Sequence, residues 1–378
     1  MMQKLLVPFL TVLIVILPDS TLANEWNQTK NDLTISLAST YLDNLYYQDS
    51  NKKTTYSSSL QIEYELLELF EGYGINLPIK LKQKNYFSEA ELNHFDYTFT
   101  PSLHFFLSEQ SDISFHLNSS EEQKIKGENG AEFLPEYANF VDEKQKLAAI
   151  KVGLGRAPNT QFLKIEGTIV ENQQDHKKLS ISETKSQSLA AQYGYKISED
   201  SYALVDGKYK DEQRSSLGSE LVEVGFGLYT RLGGTHQFNI VMGYFQRNGD
   251  TSSDGYYWLL SDKWSVSENI LLSFRSEQHS EISLSQQSFT QLTTENDITL
   301  GYQLNSQHYF DLSLAIIDQQ FEQADGYHKR IVSAIDWQWQ LFEGFNLETS
   351  LALEKINTSA LAKQVTQKKA NVELEYLW

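Results

Sequence analysis

An all-β fold, a transmembrane antiparallel up-and-down β-barrel of about eighteen strands with sixteen as the alternative count, is predicted by three observations. Apolar and polar residues alternate with a period of two along most of the chain after residue 31. The connections between the alternating segments are short and long by turns. The composition joins 21 Tyr, 20 Phe and 6 Trp to a net charge of −19, with no cysteine and, after residue 23, no apolar run long enough for a membrane helix.

The first element is not part of the fold. Met1-Met2-Gln3-Lys4 is a short basic start, Leu5 to Leu17 reads "LLVPFLTVLIVIL", and Thr21-Leu22-Ala23 places a small residue before Asn24. This three-part layout predicts a secretory signal peptide over residues 1–23, cleaved after Ala23, and a single outer-membrane barrel domain over residues 24–378. The absence of cysteine excludes disulfides, thiol chemistry and Cys-based zinc sites. The acidic balance disfavours nucleic acid, because phosphate binding needs basic patches.

The strands follow in order. In "SLAAQYGYKI" (Ser188 to Ile197), Leu189, Ala191, Tyr193, Tyr195 and Ile197 share one face, and Gln192, Gly194 and Lys196 share the other. From Leu221 to Leu232, Val222, Val224, Phe226 and Leu228 oppose Glu223, Gly225, Gly227 and Arg231. Ile335, Trp337 and Trp339 oppose Asp336, Gln338 and Gln340, and Phe345, Leu347 and Leu351 oppose Asn346, Glu348 and Ser350. Short turns are expected at Ser108–Ser111, Ser198–Ser201, Gly233–Thr235, Ser265–Glu268, Asn305–Gln307 and Phe342–Gly344. Long polar loops are expected around Ser119–Ala138, Glu171–Thr184, Asp211–Ser219, Arg247–Asp254, Glu277–Gln287, Gln319–Lys329 and Asn357–Gln367. Short periplasmic turns alternating with longer extracellular loops are the pattern of an outer-membrane barrel, and an even strand count leaves both termini in the periplasm.

The last strand, "ANVELEYLW" (Ala370 to Trp378), must pair with the first, because lipid satisfies no backbone group at an open edge. Leu374, Tyr376 and Trp378 share its lipid face and form a candidate C-terminal assembly signal, with the membrane's barrel-assembly machinery and outer-membrane lipid as expected partners. Glu373 and Glu375 face inward. Alternation assigns Lys80, Lys82, Lys151, Lys164, Lys196, Arg231 and Arg275 to the lumen from the early strands, and Asp336, Glu348, Glu354, Glu373 and Glu375 from the late ones. Two readings follow: a transverse field across a polar channel, or charges that neutralise one another inside a filled or solvated interior.

Catalytic constellations are not expected. The histidines are scattered without the spacing of a zinc site, and His279 beside Ser280 or His176 beside Asp175 reads as polar loop. Gly225-Phe226-Gly227 belongs to a strand and is no phosphate loop, and Asn248 to Gly255 lacks the ligand pattern of a calcium loop. The expectation is a non-enzyme with no cofactor and no metal.

"NDLTISLASTYLDNLYYQDSNKKTTYSSSLQIEYEL" (Asn31 to Leu66), "NHFDYTFTPSLHFFLSEQSDISFHL" (Asn93 to Leu117) and "SLAAQYGYKISEDSYALVDGKYKDEQRSS" (Ser188 to Ser216) carry a resemblance of a different kind. With these segments the chain resembles an outer-membrane β-barrel porin family whose members are often encoded with exopolysaccharide or capsule biosynthesis systems. The resemblance implies a channel associated with export or assembly of a secreted polysaccharide, working with periplasmic export partners. A general or solute-specific porin and a structural or adhesive barrel with a blocked lumen stay open as alternatives.

Overall fold

The computed structural model describes residues 28–48, 52–125, 140–155, 160–175, 182–233, 235–250, 252–283, 289–322, 326–359 and 364–378. The expected signal peptide, residues 1–23, lies outside the described residues. The strands are β1 (Gln28–Leu42), β2 (Thr55–Phe70), β3 (Tyr73–Tyr86), β4 (His94–Phe99), β5 (Ser102–Ser108), β6 (Ser111–Ile125), β7 (Phe140–Leu154), β8 (Gln161–Asp175), β9 (Ser182–Ser198) and β10 (Ser201–Arg214). They continue as β11 (Leu217–Leu232), β12 (His236–Gly249), β13 (Ser253–Ser267), β14 (Ile270–Ile282), β15 (Thr290–Gln303), β16 (His308–Phe321), β17 (Tyr327–Phe342), β18 (Phe345–Thr358) and β19 (Val365–Leu377).

All of them join one antiparallel sheet that closes on itself. β4 and β5 are two halves of one stave: both pair with β3 on one side and β6 on the other, so nineteen segments make eighteen staves. The break falls at Thr100-Pro101, where proline has no N–H to give the ladder. β1 pairs with β19 from Thr34↔Leu377 to Leu42↔Lys369, and Trp378 and Leu33 exchange both backbone bonds at 2.9 and 3.1 Å. No open edge is left at this seam, which is the condition for strands to stand in lipid.

The outward face is aliphatic in mid-wall and aromatic at both rims. In register, Leu272, Leu300, Leu312, Ile335 and Leu351 form a row across five staves, with Leu37, Leu374 and Val372 exposed nearby. A contiguous exposed belt of this kind is far larger than a water-facing monomer tolerates. At the rim of the short turns His308, Phe310, Trp337 and Trp339 stack, the two indoles lying 5.8 Å apart at 11°. At the opposite rim Tyr41 packs on Tyr56 and Tyr244 on Tyr256. Amphipathic rings favour the boundary between hydrocarbon and water.

Inside, bulky rings rest on glycines. The Tyr257 ring lies over Gly243 and Gly225 of the next two staves, so close that a Cβ would stand 2.3 Å from its atoms at either position. Its hydroxyl donates to Asp206 at 2.9 Å. That contact accounts for Gly225 within the Gly-Phe-Gly element: the small residue is a seat for a neighbouring aromatic.

The loop end departs from the expected long polar connections. β10 and β11 stay paired to Arg214↔Leu217, so the loop expected over Asp211–Ser219 is a two-residue turn with Ser215 in the left-handed region at φ 56°. The flanks of the other expected loops are likewise strand: β12 runs to Gly249 and β13 starts at Ser253, β14 runs to Ile282, β16 to Phe321 with β17 starting at Tyr327, and β18 to Thr358 with β19 starting at Val365. The staves of 13 to 17 residues exceed the roughly 9–11 that span a bilayer. Polar residues on both faces erase the alternation above the belt, but the ladder still satisfies the backbone, so pairing continues.

Candidate functional site

The register gathers every inward charge on the face opposite the aliphatic belt, and ring order decides which charges meet. On β15–β19 eight carboxylates point inward, from Glu295, Asp297, Asp311, Asp336, Glu348, Glu354, Glu373 and Glu375, against the cations Arg330 and Lys369. Asp311 and Asp336 are direct cross-strand partners, as are Glu348 and Glu373. Like charges directly opposite repel. Glu375 accepts from Asn346 at 3.1 Å and Asp311 from the Tyr309 hydroxyl at 2.9 Å, but among the described residues none of these five carboxylates has a cation within salt-bridge distance.

The basic groups behave differently, because most are matched. Lys80 meets Glu63 at 2.7 Å, Lys151 meets Glu166 at 3.3 Å, Lys208 meets Glu223 at 3.4 Å and Arg275 meets Glu277 at 2.7 Å. Lys164 lies over the Phe162 ring at 5.2 Å, and the Arg231 guanidinium donates to the Tyr229 hydroxyl at 3.3 Å. Lys82 is in register with Asp96, and Lys196 sits on the inward face opposite Tyr202. The ring also separates the basic candidates. Lys151 and Lys164 stand nine staves, half of eighteen, from Asp311 and Asp336, so they face them across the lumen. Lys80 and Lys82 lie only three staves from β19, so they flank the acidic arc rather than oppose it. All of the opposed groups sit within six residues of the short-turn end of their strands.

This inner half keeps room for solvent. Lys80 and Glu63 are 46% and 42% exposed, and Lys151 and Glu166 are 49% and 42% exposed, although all four lie inside a closed ring. Exposure there requires empty interior in front of them.

The loop-end half is packed by two in-turned segments that the alternation of the sequence does not disclose. Asp43–Gln48 folds inward after β1. Asn44 and Leu45 are fully buried, the Asn44 amide donates to the Gln48 and Thr366 carbonyls at 2.9 and 3.1 Å, and Tyr47 turns at φ 51° to donate to Glu354 at 2.8 Å. The Tyr46 hydroxyl donates to Glu89 at 3.0 Å, and burial together with that carboxylate holds its phenol well above the ordinary tyrosine range. Glu354, expected to line the lumen, is therefore buried beneath this loop between Tyr47 and Arg330, at 2.5 Å from the guanidinium. Proximity of loop and wall, rather than the wrong face, removes it from the open wall.

The second segment is the upper end of the β14–β15 ladder, up to Ser283 and from Phe289. β13 and β14 part after Trp258↔Gln278 while β14 and β15 stay paired to Ile282↔Thr290, so this end leaves the wall. It reaches across the interior to the Arg214 guanidinium, which donates to the Ser283 carbonyl and lies 5.4 Å from the Phe289 ring. Arg247 fastens it: fully buried, it bonds Glu212, Ser219 at 2.7 Å and Ser280 at 3.1 Å. A lone arginine in an apparent polar loop gives no signal of this role.

Two histidines that look scattered in sequence meet here: His104 and His116 stand 5.2 Å apart edge to face, each bonded to the serine two residues before it. His279 lies 3.5 Å from Glu281 rather than acting with Ser280, and His176 lies outside the described residues. Among the described residues no group of three His, Asp or Glu side chains could hold a metal ion.

No family model and no curated protein matches the chain. Solved structures do. The outer membrane protein OpdK of Pseudomonas aeruginosa is 10% identical with a TM-score of 0.52, the match covering 92% of this chain and 99% of that one. The FrpB iron transporter of Neisseria meningitidis is 10% identical with a TM-score of 0.51, covering 89% of this chain, which spans 63% of the transporter. The siderophore receptor PirA of Acinetobacter baumannii is 5% identical with a TM-score of 0.50, covering 93% of this chain and 81% of that one. At these identities the likeness is one of fold: the closed antiparallel barrel of outer-membrane porins and transporters.

Proposed function

We propose that the chain is an outer-membrane channel for small polar solutes, with the end that carries the β9–β10, β13–β14 and β17–β18 turns in the periplasm and its in-turned segments at the outer mouth. The observation that carries this reading is the half-exposed interior ion pairs Lys80–Glu63 and Lys151–Glu166, which need water inside a ring whose outside is built for lipid. They speak against a blocked lumen. The acidic arc of β16–β19 faces Lys151 and Lys164 across that water, a transverse field that orients dipolar solutes and leaves a surplus of negative charge. OpdK has been solved with vanillate, which makes a small organic solute a reasonable scale for what this lumen passes. The relatives named above lend no support to an exopolysaccharide association, so the reading stops at solutes.

Liposome swelling checks it. Vesicles carrying the purified chain are expected to swell in isotonic arabinose or glycine, faster than protein-free vesicles and more slowly as solute size grows. Vesicles that stay shrunken in every solute, although the barrel is folded, would favour the blocked barrel.

A further inference from the structure

The lipid-facing wall is not uniform. A broad, shallow depression of about 820 Å3 runs over the outward face from β14 to β1, and between β16 and β19 two small outward residues, Ser333 and Ala370, interrupt the aliphatic rows and deepen it into a groove walled by Leu314, Ile335, Leu351 and Leu353. The groove runs up to Lys368, which lines its upper end. In register with Leu353, Lys368 begins an ascending outward series: Lys355 lies one row higher, opposite Ile331, and Lys329 one row above that, opposite Asn357. Lys52 adds a fourth ammonium, 3.5 Å from the carbonyl of Thr366, the register partner of Lys355.

The charges around these lysines are sparse. Asp43 accepts the backbone N–H of Lys368, and Asp318 is the register partner of Lys329. Among the described residues no carboxylate lies within salt-bridge distance of the side chains of Lys52, Lys329, Lys355 or Lys368. Among the described residues, four lysines against two aspartates make this a cationic patch on a chain of net charge −19, placed where the belt gives way to the outer rim. An apolar groove that ends on fixed ammonium groups matches an amphiphile with an acyl chain and an anionic head, and fits neither a neutral lipid nor a soluble anion.

We propose that the outward face of β16–β19 holds one phosphorylated lipid of the outer leaflet, its acyl chain in the groove over Ser333 and Ala370 and its phosphate on Lys355 and Lys368 with Lys52. This rests on the membrane-spanning reading above. Anionic headgroups attract lysines placed at the membrane surface, and the groove adds a fixed position to that attraction. Bulk lipid then surrounds the rest of the belt, while this stripe keeps its occupant.

Native mass spectrometry of the full folded chain in detergent tests it, with dioleoyl phosphatidic acid, dioleoyl phosphatidylcholine and inorganic phosphate as probes. The expected result is one phosphatidic acid adduct per barrel and little phosphatidylcholine or free phosphate at the same concentration. In a triple variant Lys52→Ser, Lys355→Ser, Lys368→Ser the apparent affinity for phosphatidic acid is expected to fall by more than about tenfold, as loss of three surface cations implies. Ser333→Leu, which fills the groove and leaves every lysine, is expected to lose the adduct as well. Equal uptake of the two lipids, adducts indifferent to both variants, inorganic phosphate competing at equal concentration, or a second copy of the chain in place of lipid would each overturn the proposal. Heat-modifiable mobility of each variant reports that it is folded. A wild-type chain that does not insert into bilayers would sink the membrane reading itself, whereas one that inserts and shows no lipid preference would sink this inference alone.

Discussion

Replacing Arg247 by alanine is expected to cost about 1.5–3 kcal/mol of stability, because it takes from the buried Glu212 carboxylate one of its two cations, Lys210 remaining as the other, and leaves Ser219 and Ser280 without their donor. Arg247 and Glu212 are 0% and 1% exposed, and the same guanidinium joins β12 to Ser219 of β11 and to Ser280 of the in-turned β14–β15 hairpin. One substitution therefore removes one of the two cations on Glu212 and the bond that holds β14 at Ser280. A triple variant, Arg247→Met with Glu212→Leu and Lys210→Met, removes all three charges of the cluster and is expected to recover most of the loss, since well-packed apolar groups often replace buried ion pairs at little cost. Urea unfolding of the refolded barrel, followed by tryptophan fluorescence, measures both. If the alanine variant loses less than about 1 kcal/mol, the value of a solvated surface pair, then the hairpin tip is not packed into the mouth.

Replacing Tyr376 and Trp378 together by alanine is expected to reduce the folded barrel in the outer membrane severalfold while leaving refolding in detergent nearly unchanged. The two readouts separate because of where these side chains stand. Trp378 closes the seam through its backbone, bonded both ways to Leu33, and that bond survives the substitution. Its indole is 59% exposed on the lipid-facing side, and Tyr376, half-buried, packs tilted against Phe345 at 4.5 Å at the same rim. Removing rings at the rim costs little intrinsic stability, so a large cellular defect would come from recognition of the terminal strand during assembly. Leu374, register partner of Leu37 and Leu347, completes the same outward row. Heat-modifiable barrel in outer-membrane fractions at wild-type level would remove the C-terminal strand from that role.

Much of this architecture is legible in the sequence, because a wall with lipid on one side and water on the other forces strict alternation. The segments at Ser188–Ile197 and Phe345–Glu354 read as strands for that reason. Above the belt both faces are polar, the period disappears, and paired strand at Asp211–Arg214 or Gln319–Phe321 passes for loop. The inward tuck of Leu45, Tyr46 and Tyr47 has a signal in hindsight, three apolar or aromatic residues where a polar loop should begin. Arg247 has none, since its partners come from β10, β11 and β14. Opposition across the lumen is likewise a property of ring order: Lys80 and Lys164 look equivalent along the chain, yet one flanks the acidic arc and the other faces it.

The reversal potential across a planar bilayer with a salt gradient addresses the central claim most directly, because it needs both an open lumen and the sign of its wall. With the carboxylates of Asp311, Asp336, Glu348 and Glu373, which have no salt-bridge partner among the described residues, on one side and mostly matched lysines on the other, the wild-type channel is expected to conduct and to prefer potassium over chloride. The variant Asp311→Asn, Asp336→Asn, Glu348→Gln, Glu373→Gln is expected to conduct with that preference abolished or inverted toward chloride by Lys151 and Lys164. A folded, inserted barrel that carries no current, or one whose selectivity is the same before and after these four carboxylates are neutralised, would contradict the account.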